Sequence, residues 1–316
     1  MIGDCRIIPS CLNYITVFGC MSILFQMKQF QLAKGGHVQI PQPRYEQIVT
    51  MAFVNAIGLA VVFLMDSSPV NARFVFGGDV PEISLSWVII GTLVALAAIA
   101  TEWVCRTHPH PHAWIVRSVG PLRNVTPALW VLPGLNIIAA YAFLKLFNPV
   151  LGSTVFLVAL VVSSGTLVVI LIAQYFNFHR QAEIHIPAQI VLHGIGYIIA
   201  FSIFSAIYYT RYRTLYSATM VALVAGALIY ALLNLQRRPV SVGIALIASF
   251  GIAELMWALN YWQTTFLLAG VVLLAVLYVV IGILGHACIG QLNRRLILEY
   301  GLVGSVMIGS VAFLSL

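Results

Sequence analysis

The sequence predicts an all-α fold, a polytopic transmembrane helix bundle, and three observations predict it. Hydrophobic residues make up 61% of the 316 and charged residues only 8%, where a soluble domain carries about a quarter charged. The charges stand between long neutral runs, the pattern of segments whose solvent is lipid. Nine of those runs reach the roughly 20 residues needed to cross a hydrocarbon core about 30 Å thick.

In chain order the expected spans are Gln47 to Met65, Ile83 to Thr101, Asn124 to Leu144, Val150 to Phe176 and Pro187 to Tyr209. Thr214 to Leu235, Val240 to Leu259, Phe266 to Ile289 and Leu296 to Leu316 complete the nine. A tenth candidate, Ile7 to Met27, contains no charge but holds Ser10, Asn13, Thr16, Ser22 and Gln26. It reads as a tenth span, as a cleaved signal with a poor basic n-region, or as a stretch upstream of a true start at Met27. Residues 1–44 are therefore set apart as an N-terminal segment and 45–316 taken as a single transmembrane helical domain.

Orientation follows from the basic residues, which are retained on the cytoplasmic side. One set of loops holds eleven (Lys28, Lys34, Arg44, Arg106, Arg117, Arg123, Arg180, Arg237, Arg238, Arg294 and Arg295), the other four (Arg73, Lys145, Arg211 and Arg213). The expectation is a cell-membrane protein with the eleven-residue side in the cytoplasm and the C-terminus outside. The net charge of +7 forms no patch of the kind that binds nucleic acid. Cys5, Cys11, Cys20, Cys105 and Cys288 show neither CxxC pairing nor a dense framework.

Few residues carry a chemical signal. His108, His110 and His112 alternate with prolines, and polyproline II geometry fans residues two apart around the axis, so a stiff connector is favoured over a metal site. His193 lies inside its span, where a neutral imidazole more often bonds a neighbouring helix than binds haem. His286 is the partner a haem reading would need. Pro133 removes a backbone donor, so a kink with exposed carbonyls is expected beside Asn136. Glu102 with Arg106, and Arg295 with Glu299, are spaced four apart as interfacial pairs.

Two further features stand out, a stripe suited to helix packing and Glu254 with Trp257, the best candidate for a functional residue. Gly301, Ser305 and Gly309 make a smooth stripe that would let another helix approach closely. Glu254 lies about 24 Å along its helix from Arg238 at 1.5 Å per residue, with Trp257 three residues on. An acid facing lipid near the bilayer centre costs about 2.5–3.5 kcal/mol, so Glu254 is expected to face the protein interior or a polar cavity. The competing expectation is an interfacial anchor beside Asn260, Tyr261 and Trp262.

The stretch Ala253-Glu254-Leu255-Met256-Trp257-Ala258-Leu259-Asn260-Tyr261-Trp262, with Gly285-His286, Gln291-Leu292-Asn293-Arg294-Arg295, Glu299-Tyr300 and Leu132-Pro133-Gly134, resembles an uncharacterised family of bacterial multi-pass membrane proteins. The resemblance centres on the last quarter of the chain, implies membrane architecture and carries over no activity. The sequence holds no Walker A loop, GxSxG elbow or HExxH motif. A non-enzymatic membrane component that assembles with a membrane-protein partner or with itself is therefore placed first, with no cofactor. A small-solute carrier or channel built around Glu254, Asn136 and Pro133 comes second. An intramembrane enzyme acting on a lipid or isoprenoid comes third.

Overall fold

The computed structural model describes residues 43–67, 73–74, 83–106, 127–147, 153–178, 182–211, 213–236, 240–262, 264–288, 290 and 293–315. The helices are α1 (Tyr45–Ser67), α2 (Leu85–Arg106), α3 (Pro127–Phe147), α4 (Ser153–Asn177), α5 (Ala182–Thr210), α6 (Thr214–Leu235), α7 (Val242–Tyr261), α8 (Phe266–Ala287) and α9 (Arg294–Ser315). Ahead of α2, β1 (Arg73–Phe74) pairs antiparallel with β2 (Ile83–Ser84), a two-residue ladder that the hydropathy pattern did not foretell. The segment Ile7 to Met27 and the His108–His112 loop lie outside the described residues.

Among the described residues eight helices, α1 to α8, are long and apolar enough to cross a membrane, which makes this a membrane-embedded chain. These eight fall on the first eight of the expected spans. The ninth expected segment forms a helix as well, α9, of 22 residues with Arg294, Arg295 and Glu299 in its first turns. Most boundaries sit within a few residues of expectation. The largest shifts are at the end of α2, which runs on from Thr101 to Arg106, and at the start of α5, which begins at Ala182 and carries Pro187 inside its second turn.

The helices pack as two rings of neighbours. In the first, α1 touches α2, α2 touches α3, α3 touches α4, and α4 returns to α1. In the second, α5, α6, α7 and α8 close the same way. Contacts of α3 with α5 and α6, and of α4 with α5, join the rings, while α9 packs on α8 at the edge. A helix at such a junction has neighbours on every side, and α3 is buried all round from Leu132 to Ile137.

Small residues set the closest approaches. A Cβ on Gly226 of α6 would stand 3.1 Å from Ser249 Oγ of α7. One on Gly270 of α8 would overlap Ser205 of α5. After α8, the chain turns through Gly290, whose φ of +72° favours glycine.

Candidate functional site

The phase of α7 decides where Glu254 points. Ser241 caps the helix, its Oγ accepting from Ile244 N–H at 3.3 Å. The buried face is Ala245, Ser249, Ile252, Ala253, Met256 and Leu259, and the close approach of Gly226 to Ser249 holds that face against α6. Ile247, Phe250, Glu254, Trp257 and Tyr261 are left outward at alternating spacings of three and four. The expectation of an inward Glu254 is therefore corrected: it is exposed beside Trp257, itself 57% exposed. Asn260 Nδ2 reaches Ser217 Oγ at 3.4 Å, tying this end of α7 to α6.

The Gly301, Ser305 and Gly309 stripe is also exposed within the chain. The face of α9 that meets α8 is one residue to its side: Gly304, whose Cβ would come within 3.0 Å of Val279, and Tyr300, whose ring lies over Gly282.

Asn136 and Pro133 close gaps rather than open them. Asn136 is buried and donates to the Ser163 carbonyl of α4 at 3.1 Å. Beside it Asn55 of α1 reaches Ser164 Oγ at 3.4 Å. Pro133 has no N–H to offer the carbonyl four residues back, which is that of Leu129. Gln174 Nε2 on α4 supplies the missing donor at 3.0 Å. The expected exposed carbonyl is thus satisfied from a neighbouring helix, and α3 runs unbroken from Pro127 to Phe147.

The two histidines are not brought together. His193 Nδ1 lies 2.8 Å from the Gln189 carbonyl, which only accepts, so Nδ1 carries the proton. Nε2 is then the acceptor for Gln236 Nε2, 2.6 Å away at the end of α6. This is the neighbouring-helix bond expected for an intramembrane imidazole. His286 is separated from His193 by three tyrosines in ring contact: Tyr197 of α5, Tyr278 of α8 and Tyr300 of α9. Among the described residues no three His, Cys, Asp or Glu side chains gather as a metal site.

A second polar group closes the opposite end of the first ring. Asp66, in the last turn of α1, accepts from Ser86 Oγ of α2 at 2.5 Å and from the Tyr141 hydroxyl of α3 at 3.1 Å. Trp87 packs edge-on to Tyr141 at 5.1 Å, and Lys145 Nζ lies 5.6 Å from the Tyr141 ring and 6.0 Å from that of Trp87. Asp66, Tyr141 and Lys145 border a cavity of about 10 Å³ floored by Leu59, Phe63 and Leu144. That is room for about one water molecule. At the other end, Arg106 pairs with Glu102 at 2.5 Å as expected, and Trp130 Nε1 adds a bond to the same carboxylate at 3.1 Å.

Residues 67–314 match a protein family of unknown function, DUF5656. The chain belongs to that family. No curated protein and no solved structure matches it. The likeness to an uncharacterised family, expected from the last quarter of the sequence, thus extends over most of the chain.

The DUF5656 segment takes in α2 to α9, and so Asn136, His193, Glu254, Trp257 and the tyrosine strip. Asn55 and Asp66 precede it. In the sequence Asp66 reads only as part of an acidic loop with Asp79 and Glu82 on the side poor in basic residues, although its place at the end of an apolar run is a signal. For the tyrosines no signal existed, because α5, α8 and α9 are brought side by side only by the fold.

Proposed function

We propose that this DUF5656 chain is a non-enzymatic multi-pass component of a larger membrane assembly, docked through the outward face of α7. The observation that carries this reading is Glu254, which points outward from the C-terminal half of an apolar helix, seven residues before its end. A carboxylate facing lipid costs about 2.5–3.5 kcal/mol at the bilayer centre and less toward the interface. A partner helix that brings a base or a hydrogen-bond donor offsets that cost. The spacing of Ile247, Phe250, Glu254, Trp257 and Tyr261 suits a second helix, being the three-four alternation of a coiled-coil seam. The carrier reading ranks behind it, because Asn136 and the Leu129 carbonyl, which would have served a solute, are engaged with α4.

Photo-crosslinkers at the exposed positions Gly251 and Ala258, on either side of Glu254, test the docking face in cells. A single protein adduct of discrete mass is expected at both, weakened severalfold by Glu254→Leu, with none at the exposed Leu223 of α6. Lipid adducts alone, together with normal expression of Glu254→Gln, would leave Glu254 an interfacial anchor and end the proposal.

In this reading the Arg294 end faces the cytoplasm of a cell membrane, as the basic-residue balance indicates. Cys288 is exposed at that end of α8, whereas Cys105 is buried. With Cys5, Cys11 and Cys20 replaced by serine, an impermeant maleimide is expected to label Cys288 only after permeabilisation. Labelling of intact cells would invert the orientation.

A further inference from the structure

Five side chains on three helices form one continuous aromatic strip across α8. Ring centroids are 6.3 Å apart from His193 to Tyr197, 5.8 Å from Tyr197 to Tyr278, 5.8 Å from Tyr278 to Tyr300 and 6.0 Å from Tyr300 to His286. Neighbouring rings meet at 53° to 62° rather than stacking, so their π faces are not consumed by one another. Tyr278, in the middle, is 38% exposed, and its neighbours are half-buried. The strip therefore opens outward from the helices.

Its polar atoms are unusual for their depth. Tyr278 lies nine residues before the last residue of α8, about 13 Å inward at 1.5 Å per residue. Among the described residues the hydroxyls of Tyr197 and Tyr278 meet no hydrogen-bond partner. His286 Nδ1 is 2.9 Å from the Gly282 carbonyl and so carries the proton, which leaves Nε2 an acceptor. Two donors thus line an aromatic surface at a depth where an unmade hydrogen bond costs more than in water, while His286, one residue before the last of α8, stands at the end of the strip nearest the helix terminus.

The ligand that fits must be flat, soluble in hydrocarbon and equipped with acceptors. Phospholipid esters and headgroups stay at the interface, whereas a quinone carries two carbonyl oxygens on a planar ring and dissolves among the chains. We propose that the α5–α8–α9 strip binds the head of a membrane-soluble quinone. Its carbonyl oxygens accept from the Tyr197 and Tyr278 hydroxyls, and its ring lies against the tyrosine faces. Gly282 permits this surface, since a Cβ there would overlap the Tyr300 ring that completes it. The site lies on different helices from the Glu254 face and stands or falls separately.

The test uses the full chain in lipid nanodiscs titrated with decylubiquinone, following the unfolding midpoint and the tyrosine absorption difference spectrum. Saturable binding of one molecule per chain is expected. Tyr197→Phe with Tyr278→Phe keeps both rings and removes both donors, so it should weaken binding by about tenfold or more at unchanged fold. Farnesol, which has the chain but no ring, should not compete. Non-saturating partition, equal binding by the double variant, or equal competition by farnesol would each overturn the proposal.

Discussion

Gly270→Leu is expected to destabilise the second ring of helices more than any other single change considered in this structure. The space beside Gly270 is already taken: Phe201 Cε2 and Ser205 Cβ both stand 3.2 Å from where a Cβ would be, and Ser205 Oγ would overlap it. A leucine there must push α8 away from α5 or force several side chains off their rotamers. Such overpacking costs about 1–3 kcal/mol. Gly270→Ala is the milder probe, because the offending Oγ can rotate although Ser205 Cβ cannot. Ser205 Oγ is buried without a hydrogen-bond partner, so Ser205→Ala alone should cost little. Combined with Gly270→Ala it should recover part of the loss, a coupling that only contact between the two residues produces. Thermal unfolding in a mild detergent, with size-exclusion to confirm the assembly state, reads all three. A Gly270→Leu protein that melts with the wild type would mean that α5 and α8 do not pack at this glycine.

The same close approaches explain what could be read from the sequence and what could not. Helix extents were legible because they depend on local hydropathy: α6 spans Thr214–Leu235, the segment that its apolar run predicts. The apolar run from Pro187 marks the start of α5 less well, since the helix begins five residues earlier in the polar stretch at Ala182. Rotational phase was not legible. The rule that an intramembrane acid faces inward placed Glu254 in the interior, but the contact of Gly226 with Ser249 fixes α7 the other way round. Likewise, Gly301, Ser305 and Gly309 repeat more regularly than Gly304, yet Gly304 meets α8. Periodicity within one helix says which residues share a face, not which face a distant helix will choose. The strip from His193 to His286 is the extreme case, since its members come from three helices.

Replacing Gln174 with leucine is expected to destabilise the first ring by about 1–2 kcal/mol, toward the upper part of the range for interhelical hydrogen bonds in membranes. The reason begins in α3, where Pro133 deprives the Leu129 carbonyl of its helical donor and Gln174 Nε2 replaces it at 3.0 Å. Gln174 is fully buried, and no water competes for that carbonyl. Leucine fills similar space but leaves the carbonyl bare. The cost stays moderate because Gln174 Oε1 is itself buried and unpartnered, so its removal recovers part of the loss. Pro133→Ala supplies the decisive background. An alanine N–H at position 133 would bond the Leu129 carbonyl within α3, making the Gln174 donor redundant. Gln174→Leu should then cost little, and the two substitutions should couple by at least half the single-variant loss. Equal destabilisation in both backgrounds, measured by unfolding in detergent, would show that Gln174 acts through packing alone and that the proline-freed carbonyl finds its donor elsewhere.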